Sequence, residues 1–110
     1  MTEPRPNPMA DRLRTLLADD ALIMMPCCFD ALSAKLIQQA GFDLTFLSGF
    51  AASASRIGAP DVGLMSYGEV HDQARNVLEG IDIPMMVDAD TGYGNPMNVE
   101  RTVKGLARAG

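Results

Sequence analysis

Three short apolar runs, each followed by a segment of helical period, predict an α/β chain built on a parallel sheet. The runs are ALIMMP at 21–26, LTFL at 44–47 and IPMMV at 83–87, and the helical segments between them open on capping residues and close on glycines. Strands that alternate strictly with helices need crossover connections, which are right-handed in such sheets.

Residues 1–8 hold three prolines and little that can be buried, so they read as a disordered lead-in. A short helix follows, with Leu13, Leu16 and Leu17 as its apolar stripe, and Asp19 and Asp20 lead into ALIMMP, which suits a buried strand. Asp30 caps the next helix, where Leu32, Leu36, Ile37 and Ala40 recur at helical spacing before Gly41 stops it. The second strand covers Leu44 to Leu47. From Ser48 to Met65 the chain is rich in Gly, Ala and Ser and reads as a long loop with one irregular turn, a length often tied to function. Ser66 and Glu69 form a capping box for a helix carrying Val70, Ala74, Val77 and Leu78, which ends at Gly80. Ile83 to Val87 is apolar on both faces, as expected of a strand covered on both sides, with Pro84 tolerable near its start. Asn95 and Pro96 then serve as N-cap and first-turn proline of a helix bearing Val99, Val103, Leu106 and Ala107, with Gly110 as its stop. The methionines at 24, 25, 85 and 86 are expected as core filler in the strands.

A helix and three strand-helix units leave two strand edges unpaired. A (β/α)8 barrel of the TIM type takes roughly 250 residues, so this chain would supply its N-terminal helix and about the first three βα units. The expected organisation is a lead-in over 1–8 and, over 9–110, the N-terminal part of a single barrel domain.

Composition removes several function classes. The chain has 110 residues, 14 acidic against 9 basic, a net charge of −5 and 5% aromatics. A nucleic-acid binder would cluster Lys and Arg with stacking rings. No apolar run approaches the roughly 18 residues of a membrane span, and MTEPRPNPMADR lacks a signal-peptide pattern, so a cytoplasmic protein is expected. Cys27 and Cys28 are adjacent and have no other cysteine to pair with, which excludes a disulfide framework. His71 is the only histidine and reads as a surface helix residue, so the chemistry should rest on carboxylates.

The unusual polar groups all lie just past strand ends, the edge at which parallel α/β folds bind ligands. Within VDADTGYGN (87–95), alternation puts Asp88 and Asp90 on one side if the strand continues through them. Two such carboxylates repel unless a cation or proton lies between them, and oxygen ligands favour Mg²⁺, with Mn²⁺ as the other candidate. The competing explanation is that they cap the turn and solvate a strand end. Gly92 and Gly94 suggest a dinucleotide fingerprint, but Met97 stands where its third glycine belongs, so they read as turn glycines. Ser48 and Gly49 offer N–H groups to a substrate carboxylate, or form an ordinary turn. Asp61 is either a third carboxylate of the site or a solvated turn residue.

The motifs FDALSA, LSGFA, GAPDVG and DADTGYGN, in that order over roughly residues 22–110, resemble the isocitrate lyase and phosphoenolpyruvate mutase superfamily. The similarity is greatest to its methylisocitrate lyase, dimethylmalate lyase and carboxyphosphonoenolpyruvate mutase group. The resemblance implies a (β/α)8 barrel, usually tetrameric, that binds Mg²⁺ and stabilises an enolate-like state of a 2-oxo acid. It makes Asp61, Asp88 and Asp90 the metal-site carboxylates, and Ser48, Gly49 and Phe50 the stretch that contacts a small-molecule substrate's carboxylate. The family's catalytic loop, with its Lys-x-Cys-Gly-His segment, and a further metal-site glutamate do not occur in this sequence, and Cys27 and Cys28 do not match that loop. Phe46 stands where many methylisocitrate-cleaving members have tyrosine, which keeps other substituted malates open.

The expected activity is Mg-dependent carbon–carbon cleavage of a 2-hydroxy di- or tricarboxylate. The alternatives are phosphonomutase or oxaloacetate decarboxylase activity on the same scaffold, or an inactive piece that folds only by association.

Overall fold

In the computed structural model, residues 6–110 are described. Helix α1 (Pro8–Leu17) starts with Asn7 as its cap, whose side chain accepts the Ala10 N–H at 3.0 Å. Asn7 and Pro8, inside the expected lead-in over 1–8, already serve the helix start; the rest of that expectation falls on residues 1–5, outside the described residues, and on Pro6. No α1 residue is fully buried, and Leu17 faces solvent while Leu13 and Leu16 are half-buried. Polar ties hold the helix instead. Arg12 donates to the Asp82 carbonyl at 2.7 Å and pairs with Asp43 at 3.5 Å, bridging the turns that enter the second and third strands.

The remaining elements are β1 (Cys27–Cys28), α2 (Ala31–Gln39), β2 (Thr45–Leu47), α3 (Gly49–Ile57), α4 (Tyr67–Leu78), β3 (Met85–Val87) and α5 (Pro96–Ala109). The three strands are parallel, in the order β1-β2-β3, with Cys27 opposite Phe46 and Phe46 opposite Met86. The α/β class with a parallel sheet is as expected. One face of the sheet packs under the helices: Cys28 and Leu47 join Ala34 of α2, Ala74 and Val77 of α4, and Ile81 and Ile83 in one buried cluster. The expected capping box of Ser66 with Glu69 forms on α4, and the expected caps Asn95 and Asp30 prove to be boxes as well, with Asn98 on α5 and Ser33 on α2.

Four expectations fail. ALIMMP is not a buried strand: β1 starts one residue after it, and Leu22 and Met24 are 93% and 66% exposed. Only Pro26 engages the sheet, its carbonyl accepting the Phe46 N–H at 3.2 Å and the Thr45 hydroxyl at 2.9 Å. Apolar residues become a strand when a neighbour pairs with them, and this run meets none among the described residues. For the same reason the methionines are not all filler, since Met24, Met25 and Met86 are exposed and only Met85 packs on the core. The supposed loop from Ser48 is a helix for half its length. Alanine and serine in AASAS tolerate helix, the Ser48 side chain caps α3 through the Ala51 N–H at 3.3 Å, and the true loop is the part after Gly58. His71 is likewise half-buried rather than a plain surface residue, with its ring 5.4 Å from that of Tyr67.

The link from β3 to α5 is a tight turn that only glycine permits at its buried position. Gly92 has φ +88°, and a Cβ there would stand 2.5 Å from a Val99 methyl of α5. Its carbonyl takes the buried Thr102 hydroxyl at 3.0 Å, which pins the turn to the helix. Gly92→Ala is expected to lower unfolding free energy by more than about 1 kcal/mol through strain and overpacking, read as a lower denaturant midpoint at unchanged slope.

Candidate metal and substrate site

The carboxyl ends of β2 and β3 and the start of α3 converge on one small cleft of about 50 Å³, lined by Gly49, Asp61, Asp88, Asp90 and Tyr93 among others. Each acidic residue arrives from a different backbone context. β3 ends at Val87, and the Asp88 N–H still donates to the Leu47 carbonyl at 3.2 Å, so Asp88 stands at the last rung of the ladder. The chain then leaves the strand. Asp90 has φ +48°, and its N–H donates to Asp88 Oδ1 at 2.9 Å. The strand alternation expected to align Asp88 and Asp90 does not operate; a turn closed by the Asp88 side chain brings both to the cleft instead.

Gly49 decides how closely these groups approach. A Cβ at this position would lie 2.8 Å from Asp88 Oδ2 and 3.2 Å from Asp61 Oδ2, so the two carboxylate oxygens flank the space that the missing side chain leaves. Asp88 Oδ1 is occupied by the Asp90 N–H, while Oδ2 faces this gap. Asp90 Oδ2 lies on the other side of the cleft, 3.6 Å from where a Cβ on Gly63 would be. Among the described residues no three Asp, Glu, His or Cys side chains are grouped closely enough to hold a metal ion by themselves. An all-oxygen set of spread carboxylates fits a hard ion that retains its water, which is how Mg²⁺ binds through one or two carboxylates.

Of the expected substrate stretch, Ser48 is fully committed elsewhere. Its N–H donates to the Cys28 carbonyl at 3.1 Å and its hydroxyl caps α3. The N–H groups of Gly49 and Phe50 open the first helical turn, where a helix has no internal acceptors for them. Gly49 lines the cleft, whereas the Phe50 side chain is 68% exposed.

Tyr93 is the residue that motif reading passed over. It is held at φ +65°, an uncommon conformation for a bulky residue, and packs on the cluster of Ala52, Met65 and Val70 behind the cleft. Burial, followed by the charges of Asp90, Asp88 and Asp61, pushes its phenol up to about 12. All three carboxylates thus act on one point. Its position inside DTGYGN was the available signal, masked by attention to the flanking glycines. Gln73 also reaches the cleft, from α4, and nothing in its sequence context marked it.

Two outcomes are expected. Gly49→Ala, whose backbone conformation needs no glycine, should displace the Asp88 carboxylate and weaken Mg²⁺ binding roughly 10- to 100-fold, measured by calorimetry. In metal-free protein carrying Tyr67→Phe, the Tyr93 phenolate absorbance should rise with a midpoint near 12 and shift downward in an Asp90→Asn variant. Because the folded value lies above the unfolded value of about 10, the stability that Tyr93 contributes is fully present below pH 10 and is lost as pH rises toward 12.

Comparison with known proteins identifies the family and the fold. The chain is 46% identical over 108 residues to the chloroplastic carboxyvinyl-carboxyphosphonate phosphorylmutase of Arabidopsis thaliana, covering 94% of this chain and 32% of that protein. It is 41% identical over 101 residues to 2,3-dimethylmalate lyase of Eubacterium barkeri, covering 92% and 35%. The solved structure of a phosphonopyruvate hydrolase complex with oxalate and Mg²⁺ matches with a TM-score of 0.85 at 35% identity, over 91% of this chain and 35% of that one. The chain therefore spans about a third of the length of these relatives. Their fold is the (β/α)8 barrel expected from the sequence, and the three βα units seen here are one part of it. The sequence profile of phosphoenolpyruvate phosphomutase matches residues 13–110, and the chain belongs to that family, within the phosphoenolpyruvate mutase and isocitrate lyase superfamily.

Proposed function

We propose that this chain carries the metal and substrate-carboxylate half of a Mg²⁺-dependent carbon–carbon lyase acting on a 2-hydroxy di- or tricarboxylate of the substituted malate or methylisocitrate type. The observation that carries the reading is the gap at Gly49, flanked by Asp61 Oδ2 and Asp88 Oδ2 at the strand ends. Asp61, Asp88 and Asp90 hold the hydrated ion, one directly and the others through water. When bound, Mg²⁺ (or Mn²⁺) would supply positive charge to the substrate's 2-hydroxyl oxygen, favouring its alkoxide, from which the 2-oxo acid carbonyl forms while the electron pair of the broken bond passes to the departing enolate. Gly49 and Phe50 present their free N–H groups to the substrate carboxylate, where the helix dipole of α3 favours negative charge. Tyr93 closes the apolar wall behind the cleft and stays a neutral donor at physiological pH.

The group that protonates the departing enolate is assigned to the family's Lys-x-Cys-Gly-His loop, which this sequence does not contain. Cys28 does not replace it. Its thiol is buried against Met85 Sδ at 3.8 Å, and burial pushes its pKa up, away from the reactive thiolate.

A mutase reading has its own support, since the phosphorylmutase relative is more alike in sequence than the dimethylmalate lyase. Oxaloacetate decarboxylase relatives keep decarboxylation as a third outcome on the same scaffold. The intact protein is proposed to be a cytoplasmic homotetramer whose partners are small carboxylic acids, with no nucleic-acid or membrane partner. No helix among the described residues is long and apolar enough to cross a membrane.

The intact enzyme is expected to release glyoxylate or pyruvate from substituted malates only with Mg²⁺ present, and Asp90→Ala should abolish that release. Turnover retained by Asp90→Ala would overturn the site. Rearrangement of phosphonates without release of a 2-oxo acid from malates would select the mutase.

A further inference from the structure

Helix α3 carries both sides of the gap that the carboxylates flank. Its first residue, Gly49, leaves the space beside Asp88, and the loop that starts at its C-cap, Gly58, delivers Asp61 only three residues later. Any sliding or rotation of α3 against β3 therefore changes the separation of Asp61 from Asp88. Apolar packing restrains that motion weakly, because α3 buries only Ala52 and Ser53, two small side chains.

What fixes α3 is a polar link at its other end. Arg56 Nη1 donates to Gln73 Oε1 at 2.7 Å, and its Nη2 donates to Asp72 Oδ2 at 3.0 Å. The forked guanidinium meets acceptors on two consecutive residues of α4, and so specifies position along and around that helix, as a point charge would not. Gln73 Nε2 in turn donates to the Phe29 carbonyl at 2.6 Å, just past β1. One amide thus joins α3, α4 and the end of β1, and the same residue lines the cleft. Asp72 is held from its other side by Arg75 at 3.4 Å. As an isolated ion pair at partly exposed positions, Arg56 with Asp72 would contribute little to stability. Its value lies in geometry.

We infer that Arg56 and Gln73 are positioning residues for the divalent cation: the relay from Arg56 through Gln73 to the Phe29 carbonyl sets the opening between Asp61 and Asp88. Neither residue touches the ion. This inference rests on the reading of Asp61, Asp88 and Asp90 as the cation site. Partners that orient metal-binding side chains from outside typically change affinity 10- to 100-fold when removed, and the lower end is expected here because the relay acts through a helix.

The test is Mn²⁺ binding to the intact protein, read from the free-ion signal in electron paramagnetic resonance, alongside thermal midpoints. Arg56→Ala and Gln73→Leu are each expected to weaken Mn²⁺ binding about tenfold. The double variant should lose no more than the worse single one, because both changes break one link. Arg56→Lys, which reaches a single acceptor, should recover part of the loss. If Arg56→Ala does not fold, Gln73→Leu decides alone. Variants that bind Mn²⁺ within twofold of the parent, while Asp90→Ala binds none, would overturn the relay and leave the cation site standing. A parent protein that binds no Mn²⁺ would overturn both.

Discussion

The close approach of the α3 N-terminus to the end of β3 is the constraint on which the candidate site depends. Asp88 stands at the last rung of the parallel ladder, with one oxygen tied to the Asp90 N–H and the other turned toward Gly49. Any side chain on residue 49 would collide with that oxygen and close the space shared with Asp61. Glycine is required there for room rather than for backbone freedom. The same short distance brings two like charges to one gap, an arrangement that costs energy unless a cation or proton compensates it. The local geometry thus leaves room for a positive charge, and among the described residues no Lys, Arg or His lines the cleft.

Strain collects at this place and is restrained from outside it. Asp90 and Tyr93 both adopt left-handed backbone conformations within four residues. The turn that contains them is closed by the Gly92 N–H to the Ala89 carbonyl at 2.8 Å and anchored through Thr102 on α5. Such conformations persist only where surrounding contacts over-determine them, as they do here from β3 and α5 together. The helix-covered face of the sheet supplies the stiff support, since Cys28, Ala34, Ala74 and Val77 are wholly buried. The opposite row of Cys27, Phe46 and Met86 is more open, as expected of the inner face of a barrel of which three strands are present.

Much of this was legible before any coordinates. Local chemistry placed the caps at Asp30, Ser66 and Asn95, because a side-chain acceptor and the N–H groups it satisfies are three residues apart or closer. The motif order marked Asp61, Asp88 and Asp90 as candidates through the family resemblance, and the parallel sheet followed from alternation of the two periods. Two errors share one cause. ALIMMP looked like a strand and AASAS like a loop because composition reports what a segment tolerates, while pairing and packing decide what it does. Leu22 and Met24 pair with no strand among the described residues and stay exposed, and the alanines of α3 gain a helix from a cap and a small apolar contact with Met65 and Val70.

The sequence by itself determined the family, the parallel α/β class, the starts of α2, α4 and α5 and the residues that bear charge at the strand ends. These are written in short-range patterns: a capping pair, a hydrophobic period, a string of motifs. Only the tertiary structure decided that Asp61 and Asp88, 27 positions apart, share the space left by Gly49. It also decided that Tyr93 lies under three carboxylates and that Gln73 ties α3 to the end of β1. Each of these is a distance between residues remote in sequence, set by how helices seat on a sheet, and no local pattern encodes it.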